Sequence, residues 1–149
     1  MIIDGLLQFD PALSAITASR VSTNTIDLLA QRDIGAQMSP VMFLYVGINA
    51  AFTAAGAATL LIQMQGSTDN ATWVTYGESR ALAIADLGAS SKALIASWAS
   101  PLSNDPVPRY LRLNYVVTTG PFTGGSLNAQ LVLDVQNARQ YAAGINITN

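Results

Sequence analysis

Between residues 127 and 136 the chain places apolar side chains at every second position. Leu127, Ala129, Leu131, Leu133 and Val135 share one side, and Asn128, Gln130, Asp134 and Gln136 dominate the other. A period of two is that of a strand with one face on a core and one in water. Residues 110–117 repeat the pattern, with Leu111, Leu113, Tyr115 and Val117 inward and Arg112 and Asn114 outward. The turn-forming stretch 118–125 lies between them, so the pair predicts an antiparallel hairpin. A second hairpin is predicted from residues 41–48, apolar on both faces as a central strand is, a turn at Ala54-Ala55-Gly56, and residues 59–65 with Leu60, Ile62 and Met64 inward. The turn at 66–70 leads to a short strand over 72–76. Weaker strands are expected at 81–84 and 93–98, with a short helix within 79–92 as an alternative.

Short strands divided by turns, with no helical period, predict an all-β fold: an antiparallel β-sandwich of jelly-roll type. With 149 residues one domain is expected. It divides into an arm and irregular region over 1–37, a sandwich core over 38–137 and a tail over 138–149. Near the N-terminus Ile2, Ile3, Leu6, Leu7 and Phe9 suit either an edge strand or an extended arm. The tail carries Tyr141, Ile145 and Ile147 among small polar residues. Large apolar side chains close to chain ends, where domains fray, are the candidate contacts with other subunits.

Composition narrows the function. The chain has no cysteine and no histidine. That removes the Ser-His-Asp triad, the cysteine nucleophile and the usual zinc site, so neither an enzyme nor a cofactor is expected. Charged residues make up 11%, with Lys92 the only lysine and Glu78 the only glutamate. Charge keeps free proteins apart, so a surface this poor in it suits either a chain covered by partners or a merely thrifty surface. The six arginines are scattered, and only Arg109 and Arg112 are close together, so no basic face for nucleic acid is expected.

Residues 1–7 lack the basic start and long apolar run of a signal peptide, which predicts synthesis in the cytoplasm. The uncharged stretch 34–68 is interrupted by Gly47, Asn49, Thr53, Gly56 and Thr59, so no membrane span is expected. Asp4, Asp10, Asp27 and Asp33 lack calcium-loop spacing and are expected to shape turns. Trp73, Tyr76, Trp98, Tyr110 and Phe122 form either core or a sugar-stacking platform.

Four motifs occur in order: Met1-Ile2-Ile3-Asp4; Ala51-Phe52-Thr53-Ala54-Ala55-Gly56-Ala57-Ala58-Thr59-Leu60; Arg109-Tyr110-Leu111-Arg112-Leu113-Asn114-Tyr115 with Thr119-Gly120-Pro121; and Leu131-Val132-Leu133-Asp134-Val135-Gln136. Together they resemble the capsid cement proteins of short-tailed bacteriophages, the family known from a Bordetella phage, from residue 1 to about 137. The resemblance implies a jelly-roll-like sandwich on the outer surface of an icosahedral head. The implied partners are the major capsid protein and a second copy of the chain, a dimer before a trimer. It implies no catalytic residue and no cofactor. A sugar- or receptor-binding module of a phage tail is the alternative.

Overall fold

The computed structural model describes residues 4–32, 42–98 and 104–133. Among these residues ten strands form two antiparallel sheets. They are β1 (Gln8–Ala15), β2 (Arg20–Val21), β3 (Ile26–Asp27), β4 (Phe43–Thr53), β5 (Thr59–Ser67), β6 (Val74–Glu78), β7 (Leu82–Ala83), β8 (Lys92–Ser97), β9 (Tyr110–Thr118) and β10 (Gly124–Val132). The first sheet runs β1-β10-β4-β8. The second runs β2-β9-β5-β6, with β3 also on β9 and β7 also on β5. Counting β2 with β3 and β6 with β7 as single interrupted strands, the orders become 1-8-3-6 and 2-7-4-5. That is the wrapping of a jelly roll, and the all-β expectation holds.

The core lies between the sheets. From the first come Leu44, Val46, Leu127, Ala129 and Leu131, and from the second Leu60, Ile62, Leu111, Leu113 and Tyr115, all at most 1% exposed. The inward faces read from periodicity on β5 and β9 are therefore right. So are the central place of β4 and the β5–β6 hairpin. The stretch 79–92 forms β7 and a 3₁₀ turn, Ile84–Asp86. Among the described residues no helix is long and apolar enough to cross a membrane.

Both other predicted hairpins are corrected. β9 pairs with β5 and β10 with β4, so neither β4–β5 nor β9–β10 is a ladder. Each connection is an arch that carries the chain from one sheet to the other. Alternation reports which face of a strand is buried, but not which strand lies beside it. The arches close the core from the end: Phe122 is 2% and Ala58 1% exposed, and Phe122 meets Phe52 edge-on at 4.9 Å. Gly125 makes this possible, because it adopts φ +132° and a Cβ there would strike the Phe52 ring. The arches lie side by side and are tied by two hydroxyl pairs, Thr53 Oγ1 with Thr123 Oγ1 at 2.9 Å and Thr59 Oγ1 with Thr118 Oγ1 at 2.7 Å.

Two further expectations change. Residues 8–27 are not an arm, since they supply β1 to one sheet and β2 and β3 to the other. β10 ends at Val132, so Leu133 is 57% exposed rather than inward. Its presumed wet face is partly covered, with Gln130 at 1% and Val132 at 2%.

Candidate interaction surfaces

The inner edge of the sandwich holds a charged cluster that sequence reasoning missed. Asp10 on β1 is fully buried. It accepts hydrogen bonds from Tyr115 Oη (2.7 Å), Thr23 Oγ1 (2.7 Å) and Thr23 N (3.1 Å), and it pairs with Arg20 at 3.0 Å. Arg20 is further held by the carbonyls of Ala15 and Val21, and its guanidinium lies over the Tyr115 ring. Burial and the neighbouring carboxylate push the Tyr115 phenol well above its ordinary value, so it stays a donor. The cluster joins β1 of one sheet to β2 and β9 of the other. Phe9 fixes the same strand, fully buried and stacked on Trp98 at 5.5 Å. The signal in the sequence was a lone carboxylate beside Phe9 in an apolar segment, and a turn was the simpler reading of it.

The other aspartates do shape the backbone. Asp4 accepts from Leu6 N at the 3₁₀ turn Gly5–Leu7. Asp27 accepts from Leu29 N and takes both Nε and Nη2 of Arg109 at 2.9 Å. Asp33 lies outside the described residues. In the β5–β6 turn, Asp69 accepts from Ala71 N, Thr72 N and Ser67 Oγ.

The outward face of the second sheet is a ladder of closed hydrogen bonds. Asn114 Nδ2 donates to Gln63 Oε1 at 2.7 Å, and Gln63 Nε2 to Glu78 at 3.1 Å. Arg112 Nε donates to Gln65 Oε1 at 2.8 Å, and Gln65 Nε2 to Thr75 at 3.1 Å. The five aromatics do not form one platform. Trp98 and Phe122 are in the core. Arg112 lies 4.0 Å over the Trp73 ring, Arg109 lies 4.8 Å over Tyr110, and Tyr76 Oη donates to the Pro106 carbonyl. Glycine at position 66 lets Tyr76 pack across the strand, since a Cβ there would strike its ring and Pro108.

The candidate contact residues separate. Leu6 is 84% exposed, Leu7 is half-buried against the core, and Phe9 belongs to the chain's own core, which corrects its assignment to an outer contact. Its ring is stacked on Trp98 in the core. Ile2, Ile3, Tyr141, Ile145 and Ile147 lie outside the described residues. No group of three or more metal-binding side chains occurs among the described residues.

The acid behaviour of this surface follows from its carboxylates. Three donors hold Asp69 down, Thr72 N most strongly, and lower it from 3.8 to about 2. The Arg109 guanidinium is the main cause that lowers Asp27. A carboxylate lowered by folding contributes stability that is present above its unfolded value and lost as pH falls through its folded one. Stability is therefore expected to fall as pH drops from 3.8 to about 2. Asp69→Asn and Asp27→Asn should each flatten that limb when urea midpoints are followed against pH. Parallel limbs in parent and variants would contradict this.

The fold and these surfaces define a small jelly-roll domain whose described charged clusters are engaged within the chain. The chain belongs to the Bbp16 family, whose model matches residues 12–131. At the level of the family this agrees with the Bordetella-phage resemblance drawn from the motifs. No curated protein matches the sequence.

Proposed function

We propose that the chain is a structural virion protein that binds the outside of a tailed-phage icosahedral capsid and cements neighbouring major-capsid subunits. It is made in the host cytoplasm and ends on the outer surface of the head. Its partners are the major capsid protein and other copies of itself, with no direct contact to nucleic acid or membrane. It performs no catalysis and carries no cofactor.

The observation that carries this reading is membership of the Bbp16 family, matched over residues 12–131. The side chains that could do chemistry favour it too. Asp10–Arg20, Asp27–Arg109, Arg80–Asp86 and the Asn114–Gln63–Glu78 row are engaged within the domain. Such groups build a rigid body and leave binding to shape and apolar contact. Packaged DNA presses a shell outward, and each added contact raises the cost of separating two subunits. Many copies bridging one closed shell convert a modest single-site affinity into a large effective one.

The second reading is a sugar- or receptor-binding module, favoured by Trp73, Tyr76 and Tyr110 being only partly buried. Against it, Arg112 and Arg109 lie over two of those rings. Mixing the purified chain with heads lacking it, and in parallel with polysaccharides, separates the two. Co-sedimentation with the heads and a higher temperature of DNA release are expected. Binding to polysaccharide with none to heads would overturn the proposal.

A further inference from the structure

The two sheets differ in how their outward faces are covered. On the first sheet the register sets Val132 beside Phe43, and Gln130 between Gln8 and Tyr45, with Ile95 beyond Tyr45. Alternation turns these side chains away from the core, since Leu131, Leu44 and Ala129 between them face inward. Gln130 is nevertheless 1% exposed and Val132 2%, with Phe43 and Tyr45 half-buried. Toward β8 the cover ends, and Ile95 is at 39%. The middle strands of the second sheet provide the comparison. Their outward Gln63, Arg112, Asn114 and Val116 are all half-buried, and Gln65, bonded by Arg112 and to Thr75, is at 8%. Flanking side chains therefore leave an outward residue in partial contact with water, and the lower values at Gln130 and Val132 require material laid over the face.

Among the described residues no element supplies it. The ten strands lie within the two sheets, the turn Ile84–Asp86 packs beside β7, and the turn Gly5–Leu7 lies beside β10 with Leu6 in water. Two described loops are tied to the second sheet's side, through Arg32 N on the Pro108 carbonyl and Tyr76 Oη on the Pro106 carbonyl. These burials are those of a single copy, so the covering material belongs to the chain itself. Residues 33–41 and 99–103 are spent on crossing between the sheets. Residues 1–3 reach only about 10 Å. Residues 134–149 follow Val132 and Leu133 at the corner of the face and return to no described strand. Extended, they reach about 50 Å. The four strands of the face span about 15–20 Å.

We propose that residues 134–149 turn back after Leu133 and lie across the outward face of the first sheet of the same copy, over Gln130, Val132, Phe43 and Tyr45. The tail matches the face in kind. Val135, Tyr141, Ile145 and Ile147 supply apolar area for Val132, Phe43 and Tyr45. Its Asn and Gln side chains supply the kind of partner that amides buried at such a contact require. The outer edge of β8 is the other place to seat an extended segment. A strand added there would leave Gln130 and Val132 open, and the burial rises toward β10 rather than toward β8. The three tail residues expected to reach other subunits are thereby assigned to the chain's own body.

Comparing the full chain with one ending at Asn137 tests this. Nitration of Tyr45 by tetranitromethane, read by mass spectrometry of peptides, is expected to run about tenfold faster in the shortened chain. Tyr76, on the second sheet, should keep its rate. Equal Tyr45 rates in two folded chains would overturn the proposal. So would exposure of Tyr45 by Ile2→Ser/Ile3→Ser and not by the truncation, which would make residues 1–3 the cover. Cross-linking decides the matter if the shortened chain folds poorly. Lys92 is the only lysine, the chain has no cysteine, and Lys92 sits opposite Gly47 on β8. With a short amine-to-thiol linker, Tyr141→Cys or Ile147→Cys should join to Lys92 of the same copy, and Leu29→Cys should not. A link to Lys92 of another copy, or none from either tail position, would overturn the proposal. Neither measurement involves a capsid, so either result leaves the cement reading as it stands.

Discussion

Replacing Asp10 with alanine is expected to cost about 3–5 kcal/mol, the typical loss when one partner of a buried ion pair is removed. The carboxylate is fully buried and receives Tyr115 Oη, Thr23 Oγ1, Thr23 N and Arg20. Without it the Arg20 charge and two hydroxyls lose their common partner. Tyr115→Phe removes one donor and leaves the carboxylate three, so about 1–2 kcal/mol is expected there. Urea denaturation of the single and double variants gives the coupling directly. If Asp10→Ala costs less than Tyr115→Phe, the cluster does not hold β1 to the second sheet.

Phe122→Ala is expected to cost about 3–5 kcal/mol although Phe122 lies in a connection rather than a strand. A solvent-facing hairpin loop would lose little from such a change. Here the ring is 2% exposed and meets Phe52 at 4.9 Å, sealing the core between the two arches. The neighbouring Pro121, which is exposed, serves as the control, and its change to alanine should cost far less. A double cycle with Phe52→Ala should return about 0.5–1.5 kcal/mol of coupling for the ring pair. Equal small losses at positions 121 and 122 would mean that the connection is an ordinary surface loop.

Sequence periodicity was a good guide to faces and a poor one to partners. Leu111, Leu113, Leu127 and Leu131 were legible as core because a strand's period of two states its own burial. That β9 lies against β5 was not legible, because a connection of five residues serves a hairpin or an arch equally well. The one clue was Phe122, a large apolar residue in a loop otherwise made of Thr, Gly and Pro. β1 was read only as one of two alternatives, an edge strand or an arm ending at Phe9, because Pro11 and the left-handed Leu13 break its alternation beyond that point. The exposed Leu13 and Leu29 left no trace in the pattern, since an apolar letter does not say which way the backbone aims it. Of the N-terminal residues named from the sequence, Leu6 is exposed and Phe9 proved to be core.

The order of the strands also sets how the body yields to force. The crossings β1 to β2, β4 to β5, β7 to β8 and β9 to β10 all fall at the arch end, because Ala15 pairs with Ser126, Thr53 with Gly124 and Thr59 with Thr118 there. The two remaining crossings, β3 to β4 and β8 to β9, use longer stretches of chain at the other end. The molecule is thus sewn along one seam. A load that parts the sheets there meets four covalent crossings and the paired threonines, Thr53 with Thr123 and Thr59 with Thr118, before it reaches the core.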